Sequence, residues 1–233
     1  MSAKSQLLRA RILHEFNDLI YENGYNGTTL RQLADICGIS RGHLYFYFQK
    51  KEELQNALSE DLYGKIQLIL DTMLEKDDDM LKRFLILHLL LNYLIAEKQE
   101  LYRVSAECAE HIEIMDGKAK LVYRSLRKGF KDIGHPVETD LLKPACACAV
   151  SGEYAYIRCM YQSHQPLDYL SIFRLFAGIL FDQIQFEQGE GYIRDCIEWF
   201  QAQDRVQLMK RVYEMDAYNY TFDDENGGEG TLS

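Results

Sequence analysis

Between residues 5 and 23, apolar side chains recur at Leu8, Ile12, Phe16, Leu19 and Ile20, one stripe of an amphipathic helix. Gly24 ends that pattern and opens the turn cluster "GYNGTT". Thr29 and Gln32 have capping-box spacing, so a short second helix starts there, turns Leu33, Ala34 and Cys37 inward, and stops at Gly38. Ser40 is the next N-cap, opening a third helix through Leu44 and Phe48. Leu54, Leu58, Leu62, Ile66, Ile69, Leu70 and Met73 continue as one long helix from Lys51 to about Leu74. After the polar connection "EKDDDM", the pattern predicts helices over about 80–97, 99–114, 116–133, 138–162, 167–188 and 190–217. Their expected breaks are Gly117, the Gly134–Pro136 segment, Pro166, and Gly189 with Gly191. Residues 221–233 are acidic and glycine-rich and read as a disordered tail.

Composition agrees with an all-α chain. Only three prolines occur in 233 residues, too few breakers for an all-β sandwich of that length. The 47% apolar and 27% charged residues are ordinary for a globular chain, and the length suits two packed units. The longest apolar run, Phe84 to Ala96, includes His88 and Asn92 and falls short of the roughly 20 residues a bilayer requires. The first residues carry charges every few positions, so no signal peptide is expected. Cys37, Cys108, Cys146, Cys148, Cys159 and Cys196 lie in apolar stretches without a CxxC pair, which predicts buried thiols in a reducing cytoplasm. Glu107, Cys108 and His111 have helical spacing for a metal, but no second Cys/His pair accompanies them, so no metal site is expected. Nucleotide-binding glycine loops, a nucleophile elbow and HExxH are all absent, which argues against an enzyme, and no cofactor is expected.

Two short capped helices joined by a glycine turn, behind a longer first helix, form a helix-turn-helix arrangement. The third helix begins "SRGHLYFYF", with Arg41 and His43 in its first turn and no side chain at Gly42. No acidic residue occurs between Ile36 and Lys51, whereas Arg41, Lys50 and Lys51 are basic. Residues 24–54, "GYNGTTLRQLADICGISRGHLYFYFQKKEEL", resemble the DNA-binding signature of the TetR/AcrR family of transcriptional regulators. Gly24, Thr28, Thr29, Leu33, Ala34, Gly38, Ile39, Ser40, Gly42, Leu44, Tyr45, Tyr47, Phe48, Lys51, Glu52 and Leu54 carry the match, while His43 departs from the small residue commoner at its position.

The resemblance implies an N-terminal three-helix DNA-binding domain (1–50) and a larger C-terminal helical domain for ligand binding and dimerisation (51–220). It implies DNA contacts from Thr29, Arg31, Arg41, Gly42, His43, Tyr45, Tyr47 and Lys51, with Arg41 and His43 reading bases and the others mainly positioning the backbone. The expected partners are double-stranded DNA, a second copy of the chain and an unidentified small-molecule effector, with no membrane. Polar residues inside apolar helices are the pocket candidates: His88 and Asn92 four apart, and Glu153 with Tyr154 and Tyr156. Glu153 would suit a cationic ligand and the tyrosines a flat one. Ala145, Ala149, Gly152, Ala177 and Gly178 suit either a four-helix dimer contact or the domain's own core.

The expected function is a homodimeric repressor released from a palindromic operator by its effector, with the long fourth helix as the lever. A cysteine-based redox regulator and a dimeric binding protein with a silent DNA module are the alternatives. The net charge of −10 does not oppose DNA binding, because of where it lies. Residues 1–58 hold seven Lys/Arg against six Asp/Glu, and the remainder holds 19 against 30. A locally basic edge and an acidic body are expected to set which end approaches DNA.

Overall fold

Periodic apolar stripes produce eleven helices among the described residues, 3–75 and 78–217, of this computed structural model. In chain order they are α1 (Ala3–Gly27), α2 (Leu30–Ile36), α3 (Arg41–Tyr47), α4 (Lys51–Asp71), α5 (Met80–Glu97), α6 (Gln99–Cys108), α7 (Ile112–Asp132), α8 (Thr139–Gln162), α9 (Tyr169–Gln183), α10 (Gly189–Gln201) and α11 (Arg205–Ala217). No strand occurs among the described residues. The acidic tail at 221–233 lies outside them. The chain divides into two compact units, one reaching Ile69 and including the residues from Asp204, the other spanning Leu70–Gln203.

In the first unit α1 packs on α2, and α2 on α3. Gly24 interrupts α1 with φ 79 and ψ 165, after which helical geometry resumes as far as Gly27. Buried Thr28 holds this bend, its hydroxyl donating to the Gly24 carbonyl at 2.9 Å and the Leu19 carbonyl at 3.1 Å.

In the second unit α5 packs against α6, α7, α9 and α10, while α8 packs against α6, α7 and α9. Enclosure on several sides explains why α5 is apolar almost all round: Leu81 and every residue from Phe84 to Leu94 are buried. Its N-terminus is tied down by acids. Asp79 accepts from Lys82 N at 2.8 Å, and Asp132 on α7 accepts from Met80 N at 2.9 Å. Gly129 lets α7 approach α5, since a Cβ there would lie 2.9 Å from Leu81 Cα and 3.0 Å from Leu81 N.

Several boundaries differ from expectation. α6 ends at Cys108 and α7 starts at Ile112, so Gly117 lies inside a helix rather than between two. The turn between them closes through His111 N to Cys108 O at 3.1 Å, without glycine or proline. Cys108 and His111 therefore do not share one helical face. The segment 190–217 divides at Asp204, whose Oδ1 accepts from Val206 N at 3.0 Å and Gln207 N at 3.2 Å. α9 stops at Gln183, earlier than the expected 188.

Four helices close in the same way. α2, α7, α8 and α9 end with a left-handed residue flanked by a six-to-one bond: Ile39 N to Ala34 O, His135 N to Phe130 O, Gln165 N to Met160 O, and Phe186 N to Phe181 O. Gly38 and Gly134 take that conformation freely, whereas His164 (φ 53) and Gln185 (φ 54) take it against their Cβ.

The small residues also resolve. Ala145, Ala149 and Ala177 are buried within the unit's own packing, which removes them as candidates for a dimer face. A Cβ on Gly152 would meet Ile179 Cδ1 at 2.7 Å, so Gly152 serves α8–α9 packing within the chain. Nothing lies within 4 Å of a Cβ on Gly178.

Unfolding in urea tests these backbone assignments. His164→Gly should stabilise the protein by about 1 kcal/mol. Gly129→Ala should destabilise it by about 1–3 kcal/mol, because backbone atoms rather than a flexible side chain stand in the way. Gly64→Ala, where a Cβ meets nothing within 4 Å, should be neutral or stabilising.

Candidate nucleic-acid interface and buried polar cluster

The helix-turn-helix is built from caps and buried anchors. Thr29 N–H donates to Gln32 Oε1 at 2.8 Å, and Gln32 N–H donates to Thr29 Oγ1 at 3.3 Å, completing the capping box. The Thr29 hydroxyl also donates to Gln32 Oε1, at 2.7 Å. Ser40 Oγ accepts from His43 N at 3.2 Å and starts α3. Leu33, Ala34, Cys37, Leu44 and Phe48 are buried, and the Arg9 guanidinium lies 5.1 Å from the Phe48 ring centre.

With Leu44 and Phe48 inward, the rest of α3 faces out. Arg41, Gly42, His43, Tyr45 and Phe46 are exposed, Phe46 by 75%. Tyr47 is half-buried; its hydroxyl lies 3.1 Å from Ser5 Oγ and its ring 5.6 Å from that of His43. A Cβ on Gly42 would meet nothing closer than Ser40 Oγ at 4.0 Å, so packing within the chain does not demand glycine there. Arg31 is exposed on α2, 3.9 Å from Asp35, a solvent-screened pair that adds little stability. Phe46 was not among the expected site residues. The signal for it was present, because a short helix that buries positions 44 and 48 must turn 46 outward.

Lys51 is placed differently from a free surface lysine. Its ammonium donates to the carbonyls of Tyr25 at 2.8 Å and Thr28 at 3.0 Å, and sits 4.0 Å from the Tyr25 ring centre. This clamp joins the start of α4 to the α1–α2 turn.

The pocket candidates separate into two places. His88 and Asn92 on α5 and Glu153 on α8 come together: His88 Nε2 lies 3.1 Å from Glu153 Oε1, and the three side chains are buried. The His88 ring stacks on Phe176 of α9, with centroids 3.8 Å apart, and lies 5.9 Å from Phe84. Burial alone would raise the Glu153 pKa, but His88, then Lys118 of α7 and the nearby Asn92 amide, outweigh it and hold the carboxyl below its ordinary value. Burial lowers the Lys118 pKa, with Glu153 opposing. Tyr154 is half-buried, and burial, with Cys108 and Glu153 nearby, raises its phenol well above the usual range. Tyr156 packs elsewhere, against the cluster of Tyr102, Ala106, Ile157, Leu167 and Ile172. Lys118 had no signal in the sequence, lying in the polar stretch "MDGKAK".

Four cysteines are buried as expected, but Cys148 and Cys159 are exposed on α8. Among the described residues, no group of three or more His, Cys, Asp or Glu could hold a metal ion. No helix among them is long and apolar enough to cross a membrane.

Residues 12–58 match the family model described as bacterial regulatory proteins, tetR family. Over those residues the chain is similar to the tetR family. The transcriptional regulator TtgR of Pseudomonas putida is 35% identical over 60 residues, 26% of this chain and 29% of TtgR. The transcriptional repressor KstR2 of Mycolicibacterium smegmatis is 35% identical over 68 residues, 28% of this chain and 33% of KstR2. The match thus spans a third or less of these regulators' own length. The crystal structure of RolR without ligand superposes with a TM-score of 0.52 at 20% identity, covering 79% of this chain and 96% of RolR. That likeness shows a shared all-helical fold.

The buried pair predicts the acid limb of stability. The Glu153 pKa is lowered from an ordinary 4.5, so its contribution is complete above that range and is lost as pH falls through the folded value. Urea midpoints should therefore decline below about pH 4.5, and Glu153→Gln should flatten that decline; an identical slope in wild type and variant would remove Glu153 from this role.

Proposed function

We propose that the chain is a sequence-specific DNA-binding transcriptional regulator, a homodimeric repressor that leaves a palindromic operator when a small molecule binds its C-terminal unit. The outer face of α3 carries this reading. Arg41, His43, Tyr45 and Phe46 are solvent-facing, acids are absent from the surrounding stretch, and Gly42 has no packing reason within the chain to be glycine. Arg41 and His43 read base edges in the major groove, and Gly42 lets the helix approach closely. Thr29 caps α2 at a phosphate, and Arg31, Tyr45 and Tyr47 hold the backbone. Lys51 contributes through its clamp, which sets the entry of α2. Phe46 adds apolar contact to sugar or a thymine methyl group.

Pairing of two copies is supported by α8, whose exposed face carries the small residues Pro144, Cys148, Ser151, Ala155 and Cys159 beside Arg158. In such a dimer the two α3 helices meet successive major grooves, roughly 34–36 Å apart. The effector acts by binding more tightly to a conformation with altered α3 spacing, since only differential affinity moves the equilibrium.

Fluorescence anisotropy on DNA from upstream of the protein's own gene tests the assignment. Arg41→Ala should cost about 1–3 kcal/mol of operator affinity and relax the preference at one base pair. Gly42→Val should leave thermal stability nearly unchanged yet weaken operator binding tenfold or more, because the added side chain meets DNA rather than protein. Unchanged binding in both variants would contradict the assignment.

A further inference from the structure

The acidic balance of the residues after 58 is unevenly spread. From Gly117 to Lys131 the chain carries Lys118, Lys120, Arg124, Arg127, Lys128 and Lys131 and no acid. The stretch of equal length from Cys37 to Lys51, around α3, carries only Arg41, Lys50 and Lys51. Helical geometry sorts the α7 cations. Lys120, Arg124, Arg127, Lys128 and Lys131 fall within about 100° of arc and span about 16 Å of the helix. All five are exposed. Lys118 falls on the other side, half-buried, where Val122, Leu126, Gly129 and Phe130 are buried.

Elsewhere in the chain Lys65 and Lys82 pair with acids one turn earlier, Asp61 and Asp78. Among the described residues, Lys120, Arg127, Lys128 and Lys131 have no acidic partner. Asp132, next to the stripe, accepts from Met80 N at 2.9 Å. Like charges three or four residues apart repel, so the stripe costs stability and repays nothing within the chain. Its chemistry restricts the partner that would repay it. An anionic bilayer is gripped by apolar side chains set beside the cations, but Ile112, ahead of the stripe, is the only large exposed hydrophobic on α7 among the described residues. A protein interface centres on aromatic or aliphatic anchors and is poor in lysine. Single strands stack their bases on open rings, whereas Tyr123 is half-buried, with the Lys143 ammonium 5.5 Å from its ring centre. Duplex DNA needs none of these, since it presents one charge per about 1.7 Å of axis, about ten phosphates along the stripe. Arg124 and Arg127 suit forked contacts to phosphate oxygens, and the lysines suit point contacts.

We propose that the outer face of α7 is a second DNA-binding surface, separate from α3, which holds duplex DNA by its phosphates without reading sequence. It adds sequence-independent affinity and salt dependence, and leaves the choice of operator to α3.

Fluorescence anisotropy of the full chain on a labelled duplex of arbitrary sequence, over a range of salt concentrations, tests the proposal. Lys120→Gln, Arg127→Gln and Lys131→Gln together should weaken binding about fivefold or more. They should also lower the slope of log affinity against log salt by about two to three, because each phosphate contact contributes about 0.9. Arg174→Gln, Arg194→Gln and Arg211→Gln make the same change in net charge at exposed positions off α7 and should do neither. The α7 loss should persist in an Arg41→Ala background, which separates this surface from the helix-turn-helix. If the triple variant does not fold, Lys120→Gln with Lys131→Gln should still lower the slope by about one to two. An unchanged slope, an equal effect of the control set, or an effect that vanishes with Arg41→Ala would overturn the proposal. So would tighter binding of the wild-type chain to phosphatidylserine vesicles or to polyglutamate than to duplex at matched charge concentration.

Discussion

A helix of seven residues cannot hold itself in water, and the N-terminal unit is arranged around that constraint. Helix nucleation fixes several residues for a single bond, so α2 and α3 depend on groups outside their own hydrogen-bond ladders. Thr29 with Gln32, and Ser40, supply the first-turn acceptors, while Leu33, Ala34, Leu44 and Phe48 supply burial. Lys51 adds a third kind of support. Its ammonium ties the carbonyls of Tyr25 and Thr28 to the first turn of α4, fixing where α2 begins. Since every inward position of α3 is used for anchoring, its remaining side chains are available to read a surface.

The C-terminal unit follows from a different constraint. α5 packs against four helices and is therefore apolar almost all round, which makes any polar residue on it costly. His88 and Asn92 stand within that segment, and the unit answers them with Glu153 from α8 and Lys118 from α7.

Much of this was legible in the sequence where chemistry is local. The Thr29–Gln32 box, the Ser40 cap, Gly24 and Gly38 each announce themselves within a few residues, and the inward stripe of α1 follows from its period. Boundaries closed without glycine or proline were not legible. Cys108 to Ile112 turns on backbone bonds alone, Asp204 looks like any surface acid, and His164 and Gln185 occupy a conformation that glycine would signal. Within the sites, spacing placed His88 beside Asn92, but their meeting with Glu153 and Lys118 is tertiary. Lys51 reads in the sequence as a DNA-contacting cation, and its clamp is not legible there because its carbonyl partners lie more than twenty residues away. The exposure of Cys148 and Cys159 was hidden by an apolar neighbourhood whose opposite helical face is the buried one.

The central claim is that α3 reads bases as one of a symmetric pair. Selection of bound sequences from a random duplex pool by the full chain, followed by hydroxyl-radical footprinting of the winners, tests it most directly. The account predicts an enriched inverted repeat, with protected half-sites centred one turn of B-DNA apart, about 10–10.5 base pairs or a multiple of that. Failure to enrich any sequence, or an enriched site without two-fold symmetry, would contradict it.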